Sequence, residues 1–392
     1  MPATECFACG SRDLTPFYEQ AGVPVNSCLM MPSRVEAVSY PKGDIRLVYC
    51  NGCGFIQNVL FDPSRLEYSP RYEETQGFSP LFNQWAGEVA QRYIDQYGLR
   101  GKQILEIGCG KGEFLSLLCR LGDNTGVGID PAYVSERQAD DVAQAVRFIT
   151  DFYGEQHLDI PADLIACRHT LEHISPVSDF VELVRRSIGD NRDPVVFFEV
   201  PDVMRVLREL AFWDIYYEHC SYFSLGSLAR LFRARDFDVV DLRMEYDEQY
   251  ILLDAIAGQT EYGRHWEVED DMPELSLLTE YFRDNHDAKL AEWSRSLKQV
   301  TNGGGRAVLW GSSSKAVSYL TTLETRDQIE YVVDINPYRH GKFLAGSGHE
   351  IVPPDFLKDY KPDLVIAMNP IYKPEIQEDL DRMGVRAELT AV

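Results

Sequence analysis

LEIGCGKGEFL at residues 105–115, followed by GVGID at residues 126–130, carries more structural information than any other part of this chain. Glycines at these positions let the backbone turn sharply after a strand and approach a ligand closely. Asp130, which ends the second stretch, is an acid of the kind that binds a ribose diol. The pattern predicts a Rossmann-like α/β domain with a nucleoside-like cofactor at the turn.

Charge narrows the choice of cofactor. Glu106 lies two residues before the first glycine, Gly108, so a pyrophosphate laid on the turn would meet a like charge. Gly112 also comes one place earlier than the dinucleotide fingerprint requires. S-adenosylmethionine carries a ribose, an ammonium and a sulfonium but no phosphate. We therefore expect S-adenosylmethionine, held by Glu106, Gly108, Gly110, Gly112 and Asp130; the alternative is a tight turn without a ligand.

The residues after the turn continue the α/β pattern. FITD at residues 148–151 predicts the end of a third strand, with Asp151 near the adenine. DLIACRHTLEHI at residues 163–174 predicts a fourth strand that runs into a loop and a helix. The whole stretch resembles the class I S-adenosylmethionine-dependent methyltransferases. We also expect His169, in the loop after the fourth strand, to belong to the cofactor site.

Composition limits the possible partners. The chain has 392 residues, enough for two or three domains, and a formal net charge of −24. This charge argues against nucleic acid and anionic membranes as partners, although a local cluster of basic residues could still hold an anionic small molecule. The sequence has no apolar run long enough to cross a bilayer and no charged-then-apolar leader, so we expect a cytoplasmic location.

Four of the nine cysteines have the spacing of metal ligands. Cys6 and Cys9 form one pair and Cys50 and Cys53 form a second, and a glycine follows each pair. Disulfides are not expected in a chain without a leader. Four thiolates in this arrangement predict a closed tetrahedral zinc site that is structural, because no coordination position is left for water. The alternative is a set of reduced, buried cysteines.

A candidate acid/base pair follows the predicted fifth strand at residues 195–200. Glu218 and His219 lie side by side in IYYEHCSYFS, residues 215–224, just beyond the strand end where open α/β sheets bind ligands. An imidazole with a pKa near 6.5 is largely neutral at pH 7 and can accept a proton. The alternative is a capping or core pair before a helix that begins at Ser224. His169 and His173 are rival bases.

The last third of the chain predicts a long connecting helix and a second α/β unit. Apolar residues at helical spacing run from Leu277 to Leu297, and three glycines from Gly303 end the pattern. Ser313 and Lys315 lie at the start of the next helix and form a candidate anion-binding site; the alternative is a serine-rich helix cap. The predicted division is a zinc module at 1–72, a methyltransferase domain at 73–260, a connecting helix at 261–300 and a Rossmann-like domain at 301–392.

The order of these motifs resembles the sugar C-methyltransferases over essentially the whole chain. The resemblance rests on the four cysteines, the glycine turn, IYYEH at 215–219, YFS at 222–224 and VVDINPYRHGKFL at 332–344. That family methylates nucleotide-linked 4-keto-6-deoxysugars at carbon 3, and its C-terminal domain closes over the middle one and helps to hold the diphosphate.

The resemblance also implies roles for individual residues. His219 would be the base, with Glu218 orienting it or binding sugar hydroxyls and Tyr216 lining the same pocket. Tyr72 would act as a hydrogen-bond donor or proton carrier, and Tyr68 is close enough to compete for that role. The substrate would also contact Tyr222, Ser313 and Lys315.

Two departures from the family keep the acceptor open. Tyr217 stands where the family has an acid, and MNP at residues 368–370 stands where it has Trp-Asn, and both changes could touch the substrate pocket. An O- or N-methyltransferase is therefore the closest alternative. A non-catalytic scaffold that keeps zinc and the cofactor is the alternative of another class.

Overall fold

The fold is known from a computed structural model that describes residues 3–137, 144–258, 265–323 and 326–392. In these residues the chain forms three β-sheets with helices packed against them. The domain boundary predicted between residues 260 and 261 lies outside the described residues. No helix in the described ranges combines the length and apolarity that a membrane crossing requires.

The central sheet has seven strands in the order β10-β11-β8-β7-β4-β5-β6. Strands β6, β5, β4, β7 and β8 are parallel, and β11 runs antiparallel to β8 and β10. The parallel strands are short and mostly buried, as expected where helices cover both faces. The elements of this region are α2 (Pro80–Tyr97), β4 (Gln103–Ile107), α3 (Glu113–Gly122), β5 (Thr125–Ile129), β6 (Val146–Ile149), β7 (Leu164–Arg168), α4 (Val177–Ile188), β8 (Val195–Pro201), α5 (Val203–Arg208), β9 (Ser221–Tyr222), α6 (Leu225–Arg233), β10 (Phe237–Glu245) and β11 (Tyr250–Ala257).

The first sheet contains a strand from outside the N-terminal region. Its elements are β1 (Leu14–Pro24), α1 (Arg34–Ser39), β2 (Lys42–Cys50) and β3 (Ile56–Asn58), and the sheet order is β1-β2-β3-β9. Strand β9 follows the predicted acid/base pair, and its residue Tyr222 is paired with Ile56 of β3. The N-terminal sheet therefore fixes one side of the candidate site.

The C-terminal unit is a five-stranded parallel sheet in the order β14-β13-β12-β15-β16. The connecting helix predicted from the sequence is present and ends before Gly303. The elements are α7 (Met272–Asn302), β12 (Ala307–Trp310), α8 (Ser314–Thr322), β13 (Ile329–Val333), β14 (Glu350–Val352), α9 (Leu357–Tyr360), β15 (Leu364–Ala367), α10 (Lys373–Met383) and β16 (Glu388–Ala391). The α/β fold class predicted from the sequence is confirmed.

Candidate active site

A single cavity of about 1310 Å³ is shared by the three parts of the chain. Gly108 and Asp130 line it from the carboxyl ends of β4 and β5, where parallel sheets bind their ligands. Tyr72 lines it from the segment before α2, and Gly311 lines it from the end of β12 in the C-terminal sheet. The predicted cofactor and substrate residues therefore meet in one space, with three exceptions: Gly112, Asp151 and Glu218.

The glycine turn between β4 and α3 has no space for larger side chains. Gly108 has φ +69° and Gly110 has φ +54°, conformations that favour glycine. A Cβ atom at Gly108 would collide with the Thr170 side chain, and one at Gly110 would lie 2.6 Å from Glu74 Oε1. A Cβ atom at Gly112 would enter the Phe148 ring. Gly108 and Gly110 line the cavity, whereas Gly112 does not, and its expected contact with the cofactor stays a prediction.

Glu106 carries a buried carboxylate with an unused acceptor. The residue is 3% exposed, and its Oε2 atom has no hydrogen-bond partner within the described part of the chain. Burial raises the pKa of Glu106 to about 8, although Arg168 counteracts the rise. The carboxyl group therefore keeps its proton at pH 7, and a cationic group that enters the cavity would favour its ionised form.

The two other predicted acids differ in their positions. Asp130 lines the cavity and accepts hydrogen bonds from the amides of Gly110 (2.9 Å) and Ala132 (2.7 Å). Asp151, two residues beyond the end of β6, does not line the cavity; its carboxylate accepts a hydrogen bond from Gln156 at 3.0 Å. The side chain is about half exposed, and its expected contact with the adenine stays a prediction.

His169 belongs to a buried network of charged side chains that was not predicted from the sequence. Its Nε2 atom lies 2.7 Å from Glu199 Oε1, and its Nδ1 atom lies 3.7 Å from Glu172 Oε1. Glu199 is also bound by Arg168 through two hydrogen bonds of 2.9 and 3.0 Å. Burial lowers the pKa of His169, but Glu199 and Glu172 outweigh it and raise the pKa to about 9. His169 lines the cavity as a cation held by two carboxylates.

His219 lies in an aromatic cluster on the cavity wall. The ring centroids of Tyr216 and His173 lie 4.1 and 4.8 Å from that of His219, and Tyr222 is 6.2 Å away. Burial, and then the charges of His173, His169 and Lys315, lower the pKa of His219 well below 6.5. The imidazole is therefore neutral at pH 7 and can accept a proton. The Tyr222 hydroxyl has no hydrogen-bond partner in the described residues.

Glu218 points away from His219. Its Oε1 atom accepts a hydrogen bond from Asn26 Nδ2 at 2.9 Å, and its Oε2 atom accepts one from the Ser27 amide at 2.8 Å. The Ser27 hydroxyl also donates to Oε2. These donors come from the N-terminal region, and the expected roles of orienting His219 or binding the sugar stay predictions. Glu218 joins the active-site segment to the residues after β1.

Tyr72 and Tyr68 both reach the cavity. Their rings are 5.2 Å apart, and the Tyr68 hydroxyl lies 3.3 Å from His173 Nδ1. The Tyr72 carbonyl accepts a hydrogen bond of 2.8 Å from Lys111 Nζ, so the glycine turn holds the segment that carries this tyrosine. Burial raises the pKa of both phenols well above 10, which keeps them protonated hydrogen-bond donors.

In the predicted anion-binding site, Lys315 is already paired with an acidic side chain of the protein. Lys315 Nζ contacts Asp214 Oδ2 at 2.7 Å, although both residues line the cavity. Burial lowers the pKa of Lys315, and Asp214 opposes the effect. Ser313 lines the cavity as the residue before α8, and its side chain makes no capping hydrogen bond. A ligand anion would therefore compete with Asp214 for Lys315.

The four cysteines predicted to bind metal lie together. Their Sγ atoms all fall within 4.8 Å of one another, with Cys6 and Cys53 at 3.7 Å and Cys9 and Cys50 at 3.6 Å. None of them forms a disulfide. The donor set is suited to a tetrahedral ion, which normally requires thiolates from two such pairs.

The two departures from the family pattern differ in their effect. Tyr217 is 1% exposed and does not line the cavity; its hydroxyl accepts a hydrogen bond from the Asp62 amide at 2.9 Å. This change fills the core and leaves the pocket untouched. Met368 and Asn369 do line the cavity, and the Asn369 amide exchanges hydrogen bonds of 2.8 and 3.2 Å with Gln249.

Comparison with known proteins agrees with this architecture. Residues 79–242 match the model of a methyltransferase domain, and residues 259–387 match that of a C-methyltransferase C-terminal domain. The chain is 25% identical to C-methyltransferase NovU of Streptomyces niveus, over 96% of this chain and 91% of that protein. It is 32% identical to a ubiquinone biosynthesis O-methyltransferase of Shewanella pealeana, over 27% of this chain and 47% of that protein.

Solved structures resemble only part of the fold. A 1,6-didemethyltoxoflavin-N1-methyltransferase of Burkholderia thailandensis is 17% identical and has a TM-score of 0.37, with coverage of 47% of this chain and 83% of that chain. This likeness carries no functional weight. The two domain matches confirm the predicted enzyme class and cofactor. The chain is therefore an S-adenosylmethionine-dependent methyltransferase that carries the C-terminal domain of the C-methyltransferases.

Proposed function

We propose that this enzyme methylates a carbon next to the ketone of a nucleotide-linked keto-deoxysugar. The observation that carries the proposal is the neutral, buried His219 on the wall of the cavity that also holds the glycine turn. A carbon beside a ketone becomes a nucleophile only as its enolate, so the reaction needs a base near the bound methyl donor. Methyl transfer to oxygen or nitrogen removes no C–H proton, so an O- or N-methyltransferase needs no base for that step.

The residues at the turn fit the methyl donor. The unused Glu106 oxygen can accept the ammonium, Asp130 can bind the ribose, and Gly108 and Gly110 present backbone without side chains to the cavity. When bound there, S-adenosylmethionine supplies an electrophilic methyl group to the enolate carbon, and the ketone is restored. In this assignment Glu106 gives up its proton as the ammonium arrives.

His219 performs the proton transfer in this proposal. It accepts the α-proton of the sugar, and the electron pair of the C–H bond becomes the double bond of the enolate. Tyr222, whose hydroxyl is unpaired in the described residues, can donate a hydrogen bond to the developing oxyanion. Tyr72 and Tyr216 line the same cavity, and Tyr72 can serve as a second donor. Alignment of the enolate with the methyl donor can supply about 7–11 kcal/mol, more than the ~10²–10⁴ in rate that a positioned base supplies.

The size of the cavity supports a large substrate. Its volume of about 1310 Å³ exceeds the range of about 300–1,000 Å³ typical of sites for a single small molecule. The end that lies in the C-terminal domain offers Ser313, Lys315 and the amino end of α8 to an anion. We assign the diphosphate of the substrate to these groups, with Asp214 released from Lys315 on binding.

We also propose that the four cysteines hold one structural zinc ion. Their clustering supports the proposal, because thiol sulfurs gathered in this way are the donor set of closed zinc sites. The ion would stabilise the loops at the ends of the first sheet and would take no part in methyl transfer.

The test is proton exchange in deuterium oxide with a panel of nucleotide-linked keto sugars. The native enzyme should exchange the α-hydrogen, and His219→Asn should lower exchange and methyl transfer by about 10²–10⁴ while it still binds S-adenosylmethionine. His173→Asn is the matched control, because the two rings are neighbours in the same cavity wall.

Four results would contradict the proposal. Exchange that survives His219→Asn but not His173→Asn would move the base to His173. No exchange with any sugar, or a new methyl group located on oxygen or nitrogen by NMR, would favour the O- or N-methyltransferase. Failure to bind S-adenosylmethionine in a calorimetric titration would favour the scaffold.

A further inference from the structure

Charges of alternating sign connect the carboxyl end of β7 to His219. Arg168 binds Glu199 at 2.9 Å, Glu199 binds His169 at 2.7 Å, and His169 Nδ1 lies 3.7 Å from Glu172 Oε1. The same Glu172 oxygen lies 4.0 Å from His219 Nε2. Glu172 therefore stands between two histidines, one of which is the proposed base.

Glu172 is held in place but has an unused acceptor. The residue is 2% exposed, and its Oε2 atom has no hydrogen-bond partner in the described ranges. Its backbone carbonyl accepts a 3.0 Å hydrogen bond from the amide of Cys220, the residue after His219. This backbone hydrogen bond keeps the side chains of Glu172 and His219 near each other. A buried carboxylate with an empty acceptor is costly, so a donor is expected at this oxygen.

We propose that Glu172 is a positioning residue, whose carboxylate accepts Nε2–H of His219 once substrate fills the cavity and so leaves Nδ1 to take the α-proton. This inference rests on the proposed role of His219. A separation of 4.0 Å is long for a hydrogen bond, but such contacts tighten when the substrate binds. The α-proton moves to Nδ1, the imidazolium is stabilised by Glu172, and the proton passes to water when the product leaves.

The competing explanation is that Glu172 only neutralises His169. Both roles predict some loss of activity, so the test needs a property of His219 itself. The titratable and charged groups around the His219 ring are Glu172, His169, His173, Lys315, Tyr216, Cys220 and Tyr222. Of these, Glu172 is the anion, and its negative charge favours the protonated imidazole. Its removal should therefore lower the pKa of His219 further.

The experiment measures α-deuterium exchange against pH with the panel sugar that the native enzyme exchanges fastest. Glu172→Gln should lower the exchange rate by about 10- to 100-fold, less than the ~10⁴ lost when a fully bonded triad carboxylate becomes an amide. KM should change little, and the acidic limb of the profile should move to lower pH. Glu172→Asp keeps the charge and should restore the limb. Glu269→Gln, a buried carboxylate paired with Arg233 outside the cavity, is the control for lost stability.

Two outcomes would overturn the inference. One is exchange by Glu172→Gln at the rate of the Glu269→Gln control. The other is a slower Glu172→Gln enzyme whose acidic limb does not move, since a purely structural carboxylate predicts that behaviour. If Glu172→Gln does not fold, Glu172→Ala takes its place, and a rate equal to that of the control or an acidic limb that does not move would equally overturn it. Loss of the proposed function is distinguishable, because exchange would then survive His219→Asn.

Discussion

Glu106→Gln should make the protein more stable and bind its methyl donor less tightly. The Glu106 carboxyl is buried at the end of β4, and its pKa is raised from 4.5 to about 8. The folded state therefore keeps a proton that the unfolded state releases between these pH values, so the free energy of unfolding falls as the pH rises. Glutamine has nearly the same shape and no charge, so this loss disappears.

The magnitude follows from the pKa. At about 1.4 kcal/mol for each tenfold change in proton affinity, the raised pKa costs the folded state about 5 kcal/mol above pH 8. Between pH 6 and pH 8 this cost to the native protein grows by about 3 kcal/mol. Affinity for S-adenosylmethionine should fall by about 5- to 10-fold, because a charged hydrogen bond of about 1.5–3 kcal/mol becomes a neutral one of about 0.5–1.5 kcal/mol.

Urea unfolding at pH 6 and pH 8, together with calorimetric titration of the methyl donor, measures both effects. Glu88→Gln, at an exposed position of α2, is the matched control and should change neither. The reasoning is refuted if Glu106→Gln loses stability with pH as steeply as the native protein. It is also refuted if the variant binds S-adenosylmethionine with native affinity.

Other substitutions test the remaining features. Cys9→Ser should lower bound zinc from about one ion per chain, as measured by elemental analysis, and lower the melting temperature, because three thiolates leave the site incomplete. Gly108→Ala should weaken binding of the methyl donor and destabilise the fold by about 1–3 kcal/mol in chemical unfolding, because its φ of +69° and the Thr170 side chain exclude a methyl group. Lys315→Met should raise KM for the nucleotide sugar while KM for the methyl donor stays near native, and equal changes in both would contradict the assignment of the diphosphate.

Sequence reasoning located features that depend on neighbouring residues in the chain. Gly108, Gly110 and Asp130 meet because a strand, a turn and a helix follow one another in a fixed geometry. The Cys6 and Cys50 pairs were recognised by spacing for the same reason. The hydrogen bonds of Glu218 to Asn26 and Ser27 could not be predicted, because adjacency in sequence to His219 does not fix the direction of a side chain and these partners lie almost two hundred residues earlier.

The contacts of Glu172 and Glu199 could not be predicted from the sequence. Glu172 comes within 4.0 Å of His219 only because the loop after β7 packs against the segment before β9. Glu199 meets His169 only because β8 lies beside β7 in the sheet. No sequence pattern predicts either contact. The nearest hint is the HTLEH motif, in which Glu172 precedes a histidine. Such residues become visible only when the strand order is known.

The pairing of β9 with β3 sets a rule for engineering this enzyme. A chimera that exchanges the first seventy or so residues for those of a relative would separate Ile56 from Tyr222 and Ser27 from Glu218. Residues 215–222 would have to be transplanted together with the N-terminal piece. Recombination libraries with a crossover between these two regions should therefore yield mostly inactive proteins.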